Sequence, residues 1–340
     1  MFEYQTFLLT NCLKDDITLI TKVFEHQIKW RKEMIGRIKG TGSYAPPKIV
    51  DNNDLAKIVD TSDEWIRERT GIVTRHFIEE DTTVTMAAKA AKGALDMAGI
   101  SPEEVDIIMV STISPNVILP CIACEVQKEI GAVNATGFDL NAACTGFLFA
   151  YNTAQAYINA GVYKTILIIG AESLSNIMDF TDRGTCILFG DGSGAAVLQA
   201  EEDGVFSTVT HSEGVKGEAL TCPQGGSMGM DGQAVFKFAV RKVPSSILEV
   251  LEKNNMHVED IDYFILHQAN KRIVEAVAKR LNAGIEKFPM NLQKFGNTSS
   301  ASIPLLLDEL QRSGKLKPGM NIVMAGFGAG LSWGASLTKW

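Results

Sequence analysis

The chain has 340 residues, 46% of them apolar and 21% charged, which suits one large globular domain or two fused ones and excludes a disordered polypeptide. Its 32 basic and 40 acidic residues leave a net charge of −8, which argues against general nucleic-acid binding or attachment to an anionic membrane. No apolar run approaches the ~20 residues of a membrane span, and six cysteines without a secretory signal point to free thiols in a reducing cytoplasm.

In chain order, residues 93–106 read as a helix end, a loop and a strand entry, leading into the apolar strand 107–111. Cys121-Ile-Ala-Cys124 has CxxC spacing, but no second pair and no nearby histidine completes a zinc site. Its surroundings read as the start of a helix with small apolar residues inward, so the pair is assigned to the core. A strand over 136–140 leads to Cys144, a helix-like stretch runs to Gly161, and buried strands follow at 165–170 and 195–198. The pattern then repeats. Residues 249–262 match 93–106 in length and pattern and run into the strand 263–267. Asn297 precedes a helix-like stretch that ends at Gly314, seventeen residues on, just as Cys144 lies seventeen before Gly161. Strands at 321–326 and 331–337 close the chain. The expected fold is α/β, with two duplicated halves over 34–204 and 205–340 and mainly parallel sheets covered by helices.

Ligands of open α/β sheets gather beyond the carboxyl ends of strands. His267 ends a strand, and the duplication brings Cys144 and Asn297 to matching helix starts nearby. Singly, these residues read as a buried small residue, a satisfied strand end and a helix cap. Their convergence on one sheet edge reads as a nucleophilic site. A thiol at a helix start is expected to ionise below its free value of ~8.5, and a neighbour such as His267 can lower it further. Gly326-Phe-Gly328-Ala-Gly330 is not a dinucleotide loop, because a strand rather than a helix follows it. Its glycines allow bare backbone to approach a reacting atom, and an oxyanion hole from the Cys144 and Gly328 N–H groups fits, each donor worth ~3 kcal/mol.

These residues resemble the β-ketoacyl-acyl-carrier-protein synthase III family of the thiolase fold, from about residue 34 to the C-terminus. The resemblance rests on Thr61-Ser-Asp-Glu-Trp-Ile66 with Arg69-Thr-Gly-Ile72, Asn141-Ala-Ala-Cys-Thr-Gly-Phe147, and Gly184-Thr with Phe189-Gly-Asp-Gly192. It rests equally on His267-Gln-Ala-Asn270, Gly296-Asn-Thr-Ser-Ser-Ala-Ser302 and Gly326-Phe-Gly-Ala-Gly330. It implies an acyltransferase that condenses an acyl-CoA primer with malonyl-acyl carrier protein, losing CO2, through an acyl-cysteine. The implied catalytic triad is Cys144, His267 and Asn297. Trp65 and Arg183 would enclose the adenine of coenzyme A, with Arg69 near its phosphates and Asn270 among its contacts. Gln268, Ala269, Asn270, Lys271 and Arg272 would dock the acyl carrier protein, helped by Lys279 and Arg280 on the same helix. Leu119, Phe189 and Phe236 would line the primer pocket, where Leu119 replaces a bulkier aromatic of relatives and leaves room for more than acetyl. The resemblance implies a homodimer without metal or redox cofactor, and neither nucleic acid nor membrane as a partner.

Chain-elongating synthases carry a second histidine where Asn297 stands, and degradative thiolases a second cysteine that residues 321–340 lack. Polyketide synthases of the plant type and hydroxymethylglutaryl-CoA synthase share Cys-His-Asn, but the segments 62–65 and 296–302 favour the initiating synthase. A papain-like hydrolase would place its nucleophile near the mature N-terminus among disulfides. The resemblance does not reach residues 1–33. Glu3 and the short apolar run after it exclude a secretory signal. Between an appended helix and a start assigned upstream of the true one, the second is expected, with Met34 as the beginning.

Overall fold

The computed structural model describes residues 34–340, and the expectation for residues 1–33 lies outside them. One sheet holds β1 (Ile35–Tyr44), β2 (Ile107–Ser111), β3 (Thr136–Leu140), β4 (Thr165–Glu172) and β5 (Gly192–Glu201), in the spatial order β1-β5-β4-β2-β3. A second holds β6 (Phe206–Ser212), β7 (Tyr263–Leu266), β8 (Asn321–Gly328) and β9 (Ser332–Lys339), in the order β7-β8-β9-β6. β2 and β4 are buried along their whole length, as central strands covered on both faces must be. β3, β2 and β4 run parallel, as do β7 and β8. The remaining pairs are antiparallel, so each sheet is mixed. The turn from β8 to β9 shows why: a few residues can close a hairpin but cannot make the crossover that a parallel neighbour needs.

The helices are α1 (Asp63–Thr70), α2 (Thr83–Ala98), α3 (Ile122–Ile130), α4 (Gly146–Asn159), α5 (Gly232–Lys253), α6 (Lys271–Arg280) and α7 (Ser302–Arg312). α2 and α3 pack alanines, leucines and valines on the first sheet, and α5 and α6 cover the second. α4 and α7 reach across. From α4, Tyr151 Oη donates to Thr338 Oγ1 of β9 at 2.9 Å and Gln155 Nε2 to the Gly36 carbonyl of β1 at 2.6 Å. From α7, the buried Asp308 carboxylate accepts Thr41 Oγ1 at 2.9 Å and Ser43 Oγ at 2.5 Å, both from β1. Burying the five Ile and Leu side chains of α7 stabilises its seat by roughly 1.5–3 kcal/mol each. The helix that follows Asn297 is therefore fixed to the strand layer on which Cys144 depends.

The duplication is visible in details of the backbone. One-turn helices Pro102–Glu104 and Val258–Asp260 precede β2 and β7, and Ala143–Thr145 and Ser299–Ala301 open α4 and α7. Ala143 and Ser299, at φ 46° and 49°, begin the latter pair in the same left-handed conformation. In this register Cys144 matches Ser300, Asn141 matches Asn297, and Ser111 matches His267. The expected match of Cys144 with Asn297 is thus displaced by three residues. The cause is helix length: α4 has 14 residues and α7 has 11, so counting back from the terminal glycines Gly161 and Gly314 misaligns the starts.

Candidate active site

Cys144 sits in the Ala143–Thr145 turn that opens α4 and is only 6% exposed. Burial pushes its thiol up to about 12, and the Glu172 carboxyl acts in the same direction, against the lowering by the Ser299 hydroxyl. The sequence reading expected a lowered value. A helix start supplies at most about 2 kcal/mol even in favourable geometry, and this thiol has lost its water. No hydrogen bond joins Cys144 to His267 among the described residues, so the imidazole does not offset the burial. Burial thus favours the neutral thiol.

His267 follows β7, with its N–H on the Ala325 carbonyl at 2.9 Å. Its Nδ1 lies 2.6 Å from Ser302 Oγ, and the edge of Phe327 closes on the ring at 5.1 Å. The Gln268 N–H donates to the same Ser302 oxygen at 3.3 Å, and the hydroxyl is free to give its own proton to Nδ1. With the Ser302 hydroxyl donating to Nδ1, the proton of the neutral ring lies on Nε2. Burial lowers the imidazole to about 3, so it stays neutral through the physiological range. A neutral ring with Nε2–H is a hydrogen-bond donor rather than a base.

Asn297 is held at both ends. Its N–H donates to the Leu188 carbonyl at 2.8 Å, and its own carbonyl accepts Gly190 N–H at 3.0 Å. The side-chain Oδ1 accepts the Ser299 N–H at 2.9 Å, which orients the amide and leaves Nδ2 as the donating end. Gly328, at the end of β8, passes so close to the nucleophile that a Cβ there would lie 2.9 Å from Cys144 N and 3.0 Å from Cys144 Cβ. Any larger residue type would have to displace the Cys144 backbone.

Cys144, His267, Asn297, Gly328, Phe189 and Phe236 all line one cavity of about 670 Å³. The same cavity is bordered by Trp65, Arg69, Ala269, Asn270 and Arg272. Trp65 and Arg69 come from α1, whose start is capped by Ser62, and Asn270 caps α6 by accepting the Arg272 N–H at 2.8 Å. The thiol, the imidazole and the amide therefore border the same cavity, within the size range of small-molecule sites.

Two family descriptions match the chain: 3-oxoacyl-[acyl-carrier-protein] synthase III over residues 138–214, and the C-terminal part of the same enzyme over 251–340. A β-ketoacyl-[acyl-carrier-protein] synthase III of Clostridium acetobutylicum is 49% identical over 318 residues, covering 89% of this chain and 98% of its own. The chain belongs to this family. The crystal structure of 3-oxoacyl-[acyl-carrier-protein] synthase III from Aquifex aeolicus superposes with a TM-score of 0.88 at 46% identity, covering 90% of this chain and all of that one. The priming β-ketosynthase of the R1128 polyketide pathway gives 0.86 at 36% identity, covering 90% of this chain and 96% of that one. The protein is accordingly a condensing acyltransferase of the thiolase fold, and the papain-like hydrolase reading falls away.

For a synthase III, several expected contacts need correction. Gln268 is 1% exposed, with its amide donating to the Leu266 carbonyl at 2.8 Å and accepting Asn291 N–H at 3.1 Å, so it braces the His267 strand end and meets no carrier protein. Leu119 is 83% exposed and lies outside the cavity of its own chain. Arg183 stacks on Trp65 with its guanidinium 4.9 Å from the ring centre, as does Arg69. Two stacking gaps of about 3.5 Å would be needed to seat an adenine between Trp65 and Arg183, and the stack as it stands leaves no room for one. Lys271 and Arg272 are exposed at the start of α6, though Lys271 Nζ is 3.5 Å from Glu275. The Cys121 and Cys124 sulfurs are 3.4 Å apart at the start of α3 and remain free thiols. Sequence reasoning missed Ser302, Phe327 and Glu172. Ser302 and Phe327 lie inside the recognised motifs but received no role, because a motif carries no contacts. Among the described residues no cluster of three His, Cys, Asp or Glu side chains could hold a metal, and no helix is long and apolar enough to cross a membrane.

Proposed function

We propose that Cys144, His267 and Asn297 carry out the condensation of an acyl-CoA primer with malonyl-acyl carrier protein, giving 3-oxoacyl-acyl carrier protein, CO2 and free CoA at the start of cytoplasmic fatty acid synthesis. The observation behind this reading is the single cavity that holds those three side chains and bare Gly328, with Trp65, Arg69 and Arg272 on its border. In the first half-reaction Cys144 sulfur attacks the thioester carbonyl, CoA leaves with the thiol proton, and the acyl group stays on sulfur. The Cys144 and Gly328 N–H groups serve the tetrahedral oxyanion.

In the second half-reaction malonyl-acyl carrier protein replaces CoA. His267 Nε2–H and Asn297 Nδ2–H donate to its thioester oxygen, and loss of CO2 leaves the enolate charge on that oxygen. The enolate carbon attacks the acyl-cysteine, and the departing thiolate takes a proton from solvent. Two neutral donors suit this step, because they stabilise a charge that exists only after decarboxylation begins. In this reading the tandem halves 34–204 and 205–340 divide the labour, the first bringing the nucleophile and the second the donors. Exposed Ile118 and Leu119 suit a homodimer in which Leu119 serves the neighbouring subunit's primer pocket. The test is product formation from acyl-CoA and malonyl-acyl carrier protein. Wild-type protein yields 3-oxoacyl-acyl carrier protein and Cys144→Ala yields none; product from the variant would defeat the assignment. A carrier protein of a polyketide assembly line, assayed in parallel, separates the two settings of the same chemistry.

A further inference from the structure

The duplication places a second constellation opposite the first. Where the catalytic half-site has Cys144, its counterpart turn has Ser300; where one has His267, the other has Ser111. Glu172, the last residue of β4, stands in the register of Gly328, the last residue of β8. All three counterparts are sealed: Ser111 is 1% exposed, Glu172 0% and Ser300 1%. Glu172 is therefore a buried carboxyl at the register position that Gly328 holds in the other half, and the catalytic steps above make no use of it.

Its hydrogen bonds reveal its protonation. Oε2 accepts from Ser114 Oγ at 2.7 Å, Ile113 N at 3.0 Å and Thr112 Oγ1 at 3.3 Å. Oε1 has Ser300 Oγ at 2.7 Å, and that hydroxyl also lies 3.0 Å from the Ser111 carbonyl. A hydroxyl carries one proton, and a carbonyl can only accept. A three-centre bond would divide that proton between two acceptors, whereas two full hydrogen bonds form when Ser300 donates to Ser111 and a protonated Glu172 donates to Ser300. We propose that Glu172 is held as a neutral carboxylic acid that links β4 to the Ser299–Ala301 turn and thereby positions the Asn297 amide.

The link is short. Glu172 fixes Ser300, the neighbouring Ser299 N–H holds Asn297 Oδ1 at 2.9 Å, and this bond turns Nδ2 toward the reacting thioester. Ser299 is left-handed at φ 49°, a conformation that a non-glycine residue keeps only where its surroundings impose it. Burial also raises the Glu172 carboxyl above its ordinary range. The titratable neighbour is the Cys144 thiol, itself pushed up by burial, so burial shifts both groups toward their neutral forms. Glu172 is a positioning residue, and its role rests on the assignment of Asn297 as an enolate donor.

The test compares Glu172→Gln with Glu172→Ala, each assayed for acyl-cysteine formation and for CO2 release from malonyl-acyl carrier protein. An amide offers the same carbonyl and an N–H donor toward Ser300, with one N–H more than the acid, so Glu172→Gln keeps both rates within about threefold. Glu172→Ala loses about tenfold or more in CO2 release, the scale of one misplaced hydrogen bond, with a smaller loss in acylation and little change in the KM for the carrier. A glutamine variant as impaired as the alanine variant, or an alanine variant with unchanged CO2 release, would overturn the proposal. The infrared difference spectrum of wild-type minus Glu172→Gln protein stands apart from the Asn297 assignment and requires only folded protein. A protonated-carboxyl band at neutral pH is expected, and a carboxylate pair in its place would refute the neutral acid. Asn297→Ala run beside these variants separates the two failures: normal CO2 release there sinks the triad reading and leaves the infrared result standing.

Discussion

A single methyl group at Gly328 should disable acylation. Built on the native backbone, the Cβ of Gly328→Ala meets Cys144 N at 2.9 Å, Cβ at 3.0 Å and Cα at 3.3 Å. All three are atoms of the nucleophile, so no flexible side chain can yield, and contact at ordinary carbon separation requires a shift of roughly half an ångström. Gly328 is paired with Ser332 across the β8–β9 ladder, which leaves Cys144 as the part that moves. Overpacking of this kind costs typically 1–3 kcal/mol of stability. Displacing one oxyanion donor costs about 10²–10³ in rate. The variant should therefore fold, bind acyl-CoA with little change, and form acyl-enzyme at least a hundredfold more slowly in single-turnover mass spectrometry. Gly326→Ala is the internal control: its Cβ would meet Thr145 and the Cys144 carbonyl at 3.5–3.7 Å, ordinary contact, and should be tolerated. Acylation by Gly328→Ala within threefold of wild type would refute the close-approach argument.

Ser302→Ala removes the hydroxyl that sets the His267 tautomer and should slow CO2 release about tenfold, the scale of a lost hydrogen bond to a buried ring; nitrogen NMR of the labelled imidazole should show Nδ1 and Nε2 sharing the proton. Arg272→Glu should raise the KM for malonyl-acyl carrier protein several-fold with little effect on acyl-CoA, and equal weakening of both substrates would contradict a docking role. Burial lowers His267 to about 3, so its neutral form persists as pH falls through the ordinary histidine range. CO2 release by pre-acylated enzyme should accordingly show no ionisation near pH 6.5, whereas a limb there would show a protonating imidazole. Cys144, pushed up to about 12, favours the folded state while its thiol is protonated. That contribution is lost as pH rises from ~8.5 toward 12, and alkylation of the free enzyme should climb through this window without a plateau near neutrality.

The strands and the site were legible in the sequence for a physical reason. The short apolar runs 107–110 and 166–169 suit buried strands, and they lie in β2 and β4; Cys144, His267 and Asn297 each fall where a strand or turn meets a helix. Three things were not legible. The register of the duplication depended on two helices being equally long, and α7 is three residues shorter than α4. The state of the thiol depended on how much water the fold removes, which local sequence does not encode, and burial outweighed the helix start. Gln268 stands inside the segment expected to dock the carrier, yet its chain position says nothing of its turn inward to Leu266 and Asn291. Motif position located the residues, and packing decided what each of them faces.

The division of labour within the triad is the central claim, and one measurement reaches it directly: the two half-reactions timed separately in His267→Ala. With Cys144 intact and the oxyanion donors supplied by backbone, transfer of the acyl group from acyl-CoA to sulfur should persist at a rate within about tenfold of wild type. CO2 release from malonyl-acyl carrier protein should fall by about 10²–10³, the loss of one donor to a developing oxyanion. Complete loss of acyl-enzyme formation in this variant would show that His267 acts chiefly as a base for the Cys144 thiol and would contradict the account.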